Sequence, residues 1–357
     1  MAMKRGITVL LAMILLACTC GAAAEEKTIQ VRTLTGTYFQ EAENHPAIEG
    51  ESPLTGLPCG EAYTPIMVPL DNSPEAHPLW GIGDASLMIQ VPITPNGGTR
   101  LLALFGDAYP EQAGGIRSGR MTMLPFARAF HAVFAYAGLP PIGNGNVNVK
   151  YWLDQWSFLK PTRHYNLLGK RFRTRVDFIK VPYNLSAHIR ELHEHLVERG
   201  LEFEVRPFLF TDEPLDRGEE AMKISLQFRS AKNPSSVSPN SSCTFSWQPG
   251  TGYIRTAAAG ETEDRITGKA VPFANVIIMR VPVEWVRDYP YYTDQMRGSG
   301  QADIFQSGRY IQGYWSHSTR SGRLVFLDET GKELKFQRGK TYIVVWDDHI
   351  TASYSGE

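Results

Sequence analysis

A chain of 357 residues is long enough for two domains with sizeable cores. An apolar fraction of 43% and a charged fraction of 20% are ordinary for a folded protein. Thirty-six basic against 37 acidic residues leave a net charge of -1, which excludes a global field that recruits nucleic acid or an anionic membrane surface, so electrostatic recognition has to be local.

Residues 1–24 carry an export signal. Lys4 and Arg5 form a basic start, and Ile7 through Ala17 is an unbroken apolar run, too short to span a bilayer but suited to the core of a signal peptide. Leu15-Leu16-Ala17-Cys18 reads as a lipobox that makes Cys18 the lipid-bearing first residue. The alternative ending, Ala22-Ala23-Ala24, would give a periplasmic or secreted protein. Residues 25–52 are small, polar and poorly periodic, and read as a tether from membrane to body. Cys59 and Cys243 fall in opposite halves. A bridge between them is open, because sequence does not supply the Cα separation that decides it. No cysteine or histidine spacing suggests zinc, and no motif implies a cofactor.

Residues 53–215 read as a mixed α/β domain. Strands are expected at 66–70, 87–91 and 101–105, the last two joined across Asn96-Gly97-Gly98. A glycine-rich loop leads to a helix over 120–136, with Ser118 as N-cap and Met121, Leu124, Ala127, Phe130 and Phe134 as its apolar stripe. A second helix is expected from a Ser186 cap, through Ile189, Leu192 and Leu196, to a stop at Gly200. A strand at 203–209 follows. The reading is thus α+β, an α/β half before an all-β half.

Residues 220–350 read as an all-β sandwich or barrel-like domain. A strand at 223–228 precedes a Ser-, Pro- and Asn-rich segment, 231–242, expected to be an exposed loop. Hairpins then turn at Ser307-Gly308 and at Asp328 to Gly331, and a last strand covers 342–346.

Several strings together resemble a known family. Asn72-Ser73-Pro74-Glu75-Ala76, Gly97-Gly98-Thr99-Arg100 and Ile116-Arg117-Ser118-Gly119-Arg120 are similar to the N-terminal domain of the YerB-like bacterial lipoproteins. Ala274-Asn275-Val276-Ile277, Gly313-Tyr314-Trp315 and Gly339-Lys340-Thr341-Tyr342-Ile343 resemble that family's C-terminal domain. The resemblance implies an exported two-domain lipoprotein and supplies no catalytic machinery. The chain departs from the family where histidines are usual: it carries Tyr136-Ala137-Gly138-Leu139-Pro140 and Pro182-Tyr183-Asn184 instead.

The candidate ligand-binding set is Arg100, Arg117, Ser118 and Arg120, with Asp71 and Asn72 at the end of the first strand. Arginines at a helix start suit a carboxylate or phosphate, since free N–H groups and the positive dipole end gather there. The competing reading pairs them with Asp71, Asp84 or Asp107. Ile-Arg-Ser-Gly is not a nucleophile elbow. His188, Glu191 and His195 share a helical face, more in the manner of a solvated surface than of a metal site. Asp347, Asp348 and His349 read as a solvated tail, and Tyr291 and Tyr292 stay open as a surface patch. The functional expectation is an envelope lipoprotein without catalytic residues that binds an anionic ligand or partner in the cell wall. The alternative is a hydrolase of a wall glycan or phosphodiester working through Asp71 and Asp107.

Overall fold

The computed structural model describes residues 25–32, 44–140, 145–155, 163–169 and 171–357. The signal segment with Cys18 lies outside the described residues. The architecture is mostly β, and its strands run in chain order as β1 (Lys27–Thr28), β2 (Ile66–Asp71), β3 (Leu87–Pro92), β4 (Thr99–Phe105), β5 (Val133–Tyr136), β6 (His164–Asn166), β7 (Lys223–Arg229), β8 (Val237–Gln248), β9 (Gly252–Ala257), β10 (Asn275–Arg280), β11 (Gly298–Gln306), β12 (Arg309–His317), β13 (Thr341–Trp346) and β14 (Ile350–Ser355), with shorter pairs between them.

An eleven-stranded central sheet carries the order β12-β11-β10-β13-β3-β4-β2-β5-β6, extended beside β12 by Glu219–Glu220 and Val325–Leu327. β13 pairs in parallel with β10 on one side and with β3 on the other. One sheet therefore runs through both halves of the chain. Every residue of β2, β3, β10 and β13 is buried, which is why these strands read as unbroken apolar runs: both faces of the sheet are covered. On one face lies a seven-stranded outer sheet, β1-β14-β7-β8-β9 continued by Gly260–Glu261 and flanked by Pro272–Phe273. Val68, Phe228, Phe245, Val276 and Tyr342 fill the space between the sheets. Ile89, Leu102, Phe126, Ile277, Phe326 and Ile343 form a second core on the opposite face. Ser307 (φ 53°) and Gly308 (φ 70°) make the tight left-handed turn that sets the β11–β12 register.

Helices are few and short: α1 (Leu124–Ala129), α2 (Val149–Gln155) and α3 (Ile189–Glu198). Several expectations change accordingly. The helix expected over 120–136 is a 3-10 turn, Met121–Met123, followed by the six residues of α1. His131 then takes a left-handed φ of 52°, and Val133–Tyr136 continues as β5 in parallel with β2. The apolar residues taken for a stripe are buried all round. Ser186 is not a cap; it sits in a short strand, Leu185–Ala187, and α3 starts at Ile189. Leu192 and Leu196 do line its buried face, and Gly200 ends it at φ 61°. The strand expected at 203–209 is only Leu209–Thr211.

The segment 231–242, expected as an exposed loop, ends inside the twelve-residue strand β8. Part of the expected tether is docked as well: β1 pairs with β14, Ile29 is buried, and Asn44 donates to the Val205 carbonyl. Cys59 and Cys243 are both free thiols.

Candidate functional site

The loop that delivers the three arginines is held by backbone bonds. Asp71 N–H donates to the Gly115 carbonyl and Arg117 N–H to the Pro69 carbonyl, which ties the loop to the end of β2. Each of the three side chains places one donor on an internal acceptor. Arg117 Nε donates to Asp71 in a close ion pair, with its guanidinium 5.3 Å from the Tyr183 ring centre. Burial pushes the Asp71 carboxyl up, but hydrogen bonds from Ser73 and the charge of Arg117 outweigh it and hold the carboxyl below the usual range. Arg100 gives Nη1 to the Ser118 carbonyl at 2.8 Å, and burial, followed by the neighbouring Arg120 charge, brings its pKa down to about 9. Arg120 donates to the carbonyl of Gly119 at 2.9 Å, and burial lowers its pKa too.

These positions correct the helix-terminus expectation. The residue at the start of the 3-10 turn is Arg120, not Ser118, and it makes no side-chain cap bond. A helix of six residues gathers little dipole at its start. Asn72 is drawn inward: its amide donates to Thr99 Oγ1 at 2.8 Å, and its oxygen accepts from the fully buried Arg255 at 3.4 Å. The arginines and Asp71 do come together, while Asn72 belongs to a buried network. Asp107, the other carboxylate of the hydrolase alternative, accepts from Ser52, Thr55 and Ser86 and so anchors the turn at 52–55. His188 and Glu191 meet at 2.9 Å, while His195 accepts from Arg171 at 2.9 Å, so the three do not converge. Of the two tyrosines left open as a surface patch, Tyr292 is buried and Tyr291 bonds Glu284.

The feature that sequence reading passed over lies on the outer sheet. Strand alternation sends Ile224, Leu226 and Phe228 of β7, and Cys243 and Phe245 of β8, into the core. The intervening Ser225 and Gln227 of β7 and Thr244 of β8 face outward, and the two hydroxyls among them belong to a longer row. Thr28 pairs with Ser353, Ser353 with Ser225, Ser225 with Thr244, and Thr244 with Thr256. Five hydroxyl side chains from five adjacent strands thus stand in one row, at roughly 4.8 Å per strand. The row floors a trough of about 990 Å³, and eight of its fifteen lining residues are Ser or Thr. Its charged lining residues are Glu26, Lys223 and Glu357. Ser353 Oγ donates to Glu26; the side chains of Thr28, Ser225, Thr244 and Thr256 are not engaged by the described residues.

Each such hydroxyl donates one bond and accepts two. An apolar ligand would leave that capacity unused at a desolvation cost, and an anion would find a single lysine. The arrangement is matched by a neutral chain that is itself rich in hydroxyls.

Comparison with known proteins fits the two halves. Residues 54–202 match the N-terminal domain model, and residues 235–343 the C-terminal domain model, of the family described as protein of unknown function (DUF3048). YerB of Bacillus subtilis (strain 168), whose name calls it a lipoprotein, is 26% identical over 315 residues, covering 85% of this chain and 88% of that protein. The chain belongs to the YerB-like lipoprotein family. A crystal structure of the YerB protein from Bacillus subtilis superposes with a TM-score of 0.69 over 85% of this chain and 99% of that one, at 23% identity, which speaks to the fold alone. Among the described residues no helix is long and apolar enough to cross a membrane. The family relationship accounts for the two-domain, mostly β architecture and leaves the trough's chemistry to be read from this chain.

Proposed function

We propose that this protein is exported and held on the outer face of a membrane by a lipid on Cys18, and that it acts as a non-catalytic binding protein whose outer-sheet trough takes a neutral glycan strand of the cell wall. Support for the anchor comes from Leu15-Leu16-Ala17-Cys18 and from the lipoprotein name of its relative. The ligand reading is carried by one observation: the continuous row Thr28, Ser353, Ser225, Thr244 and Thr256 across five strands. Water-facing sheet surfaces usually mix Lys, Glu and Thr, whereas this row is uncharged.

The anionic ligand expected at Arg100, Arg117 and Arg120 has weaker support, because Arg117 is already neutralised by Asp71 and the other two point donors at backbone carbonyls. Calorimetric titration of the whole protein with a neutral N-acetylglucosamine oligosaccharide, the uncharged sugar of wall glycan, is the test. Ser225→Ala combined with Thr244→Val removes two outward hydroxyls without touching the core. Losing two hydrogen bonds should weaken binding roughly tenfold. Unchanged affinity in the folded double variant, or no binding by the parent, rules the reading out.

A further inference from the structure

A second cavity, of about 510 Å³, opens where the docked N-terminal segment meets the end of β13. Its walls carry opposite charges side by side. Arg280 is buried at 7% exposure, and its Nη1 reaches the carbonyls of Asp347 and Ile350 at 3.2 and 3.5 Å. Its Nε and Nη2 have no hydrogen-bond partner among the described residues, and Asp303 lies 3.7 Å from Nε. Arg32, across the cavity, likewise leaves Nε without a partner among the described residues, while its Nη2 donates to the Gly313 carbonyl and lies 3.8 Å from Asp303.

The rim holds the triplet read from sequence as a solvated tail. The Asp347 side chain is mostly buried, at 12% exposure; its Oδ1 accepts from the His349 backbone at 2.9 Å and meets the His349 ring at 2.8 Å. Asp348 stands out in solvent, 3.2 Å from the same ring. One ligand atom from each of the three residues lies within 4.8 Å of the others.

An anion alone would meet Asp347 and Asp348, and a cation alone would meet Arg32 and Arg280. A buried guanidinium with free N–H groups calls for an acceptor, and the paired carboxylates call for a positive group. We infer that the cavity holds a small zwitterion, a free amino acid or short free peptide, with its carboxylate on Arg280 and Arg32 and its ammonium on Asp347 and Asp348. The volume lies in the range of sites for small molecules. The proposal stands apart from the trough, although the segment 26–32 borders both: Glu26 and Thr28 line the trough, Val31 and Arg32 this cavity.

The test titrates the whole protein with alanyl-alanine, followed by amide shifts, against the same dipeptide acetylated at its amine or amidated at its carboxyl. Blocking either end should weaken binding about tenfold or more, since each removes a charge-assisted bond. Asp348→Asn, a change at an exposed side chain that leaves the core intact, should weaken it about two- to fivefold, and Arg32→Gln about tenfold. The proposal is overturned if the dipeptide does not bind, if a blocked form binds equally well, or if neither variant changes the affinity. It is also overturned if Zn²⁺ alone binds stoichiometrically and Asp348→Asn abolishes that, which would make the triplet a metal site.

Discussion

The arginine loop and the hydroxyl trough differ in how far each is satisfied by its own protein. At the loop, strong donors have found internal acceptors: Asp71 for Arg117, and the carbonyls of Ser118 and Gly119 for Arg100 and Arg120. At the trough, weak donors stand in register on a sheet, and most are not engaged by the described residues. Charge-rich strings attract notice in a sequence, yet a folded protein tends to neutralise them, because an unpaired buried charge is costly. An uncharged row held by a sheet keeps its hydrogen-bonding capacity for a ligand.

The largest expected effect concerns the platform beneath the row. Phe245 is fully buried and lies edge-on to Tyr342, 5.1 Å between ring centres. Phe245→Ala should cost about 3–5 kcal/mol in denaturant unfolding, and it should abolish glycan binding if the trough depends on the sheet's shape.

Next comes pH. Burial, with the Arg255 charge secondary, brings the His77 pKa down to about 4, and burial lowers His317 to about 4 as well. The unfolded chain therefore takes up protons that the folded one refuses. Stability is complete above about pH 6.5, the ordinary histidine value, and is lost as pH falls from there toward 4. Thermal unfolding midpoints over that window should decline, and His77→Gln should flatten part of the decline. A midpoint independent of pH would contradict the buried setting.

Asp71→Asn removes the partner of Arg117 and should cost roughly 1–3 kcal/mol. Because the Asp71 pKa is depressed in the fold, that contribution is present above the ordinary carboxylate value, near 4, and disappears as pH falls below it. A variant as stable as the parent at neutral pH would show the pair to be inconsequential.

The smallest effect separates the two regions. Arg120→Ala removes a side chain with one backbone partner and should leave glycan affinity within twofold. A loss of tenfold would move the ligand to the loop.

How legible this was depended on the period of the signal. Ile66 to Leu70, Leu87 to Val91 and Leu101 to Phe105 announced themselves as apolar runs, because a sheet covered on both faces admits little else. The helix expected around Phe134 failed for the same reason: Val133 to Tyr136 is buried on all sides, and a short apolar run does not say whether it coils or extends. β8 was obscured by its Ser-, Pro- and Asn-rich start, although Cys243-Thr244-Phe245-Ser246-Trp247 alternates with period two. The same alternation recurs in Thr351-Ala352-Ser353-Tyr354-Ser355. Within one strand it marks a half-buried face. The row itself exists only in the register between strands, which residue order along the chain does not encode.

The most direct measurement is a backbone amide map of the intact protein titrated with a neutral N-acetylglucosamine oligosaccharide. The account predicts that the largest shifts fall on Thr28, Ser225, Thr244, Thr256 and Ser353, in strands distant in sequence and adjacent in the sheet. Shifts centred on Arg100, Arg117 and Arg120, or no shifts at all, would contradict it.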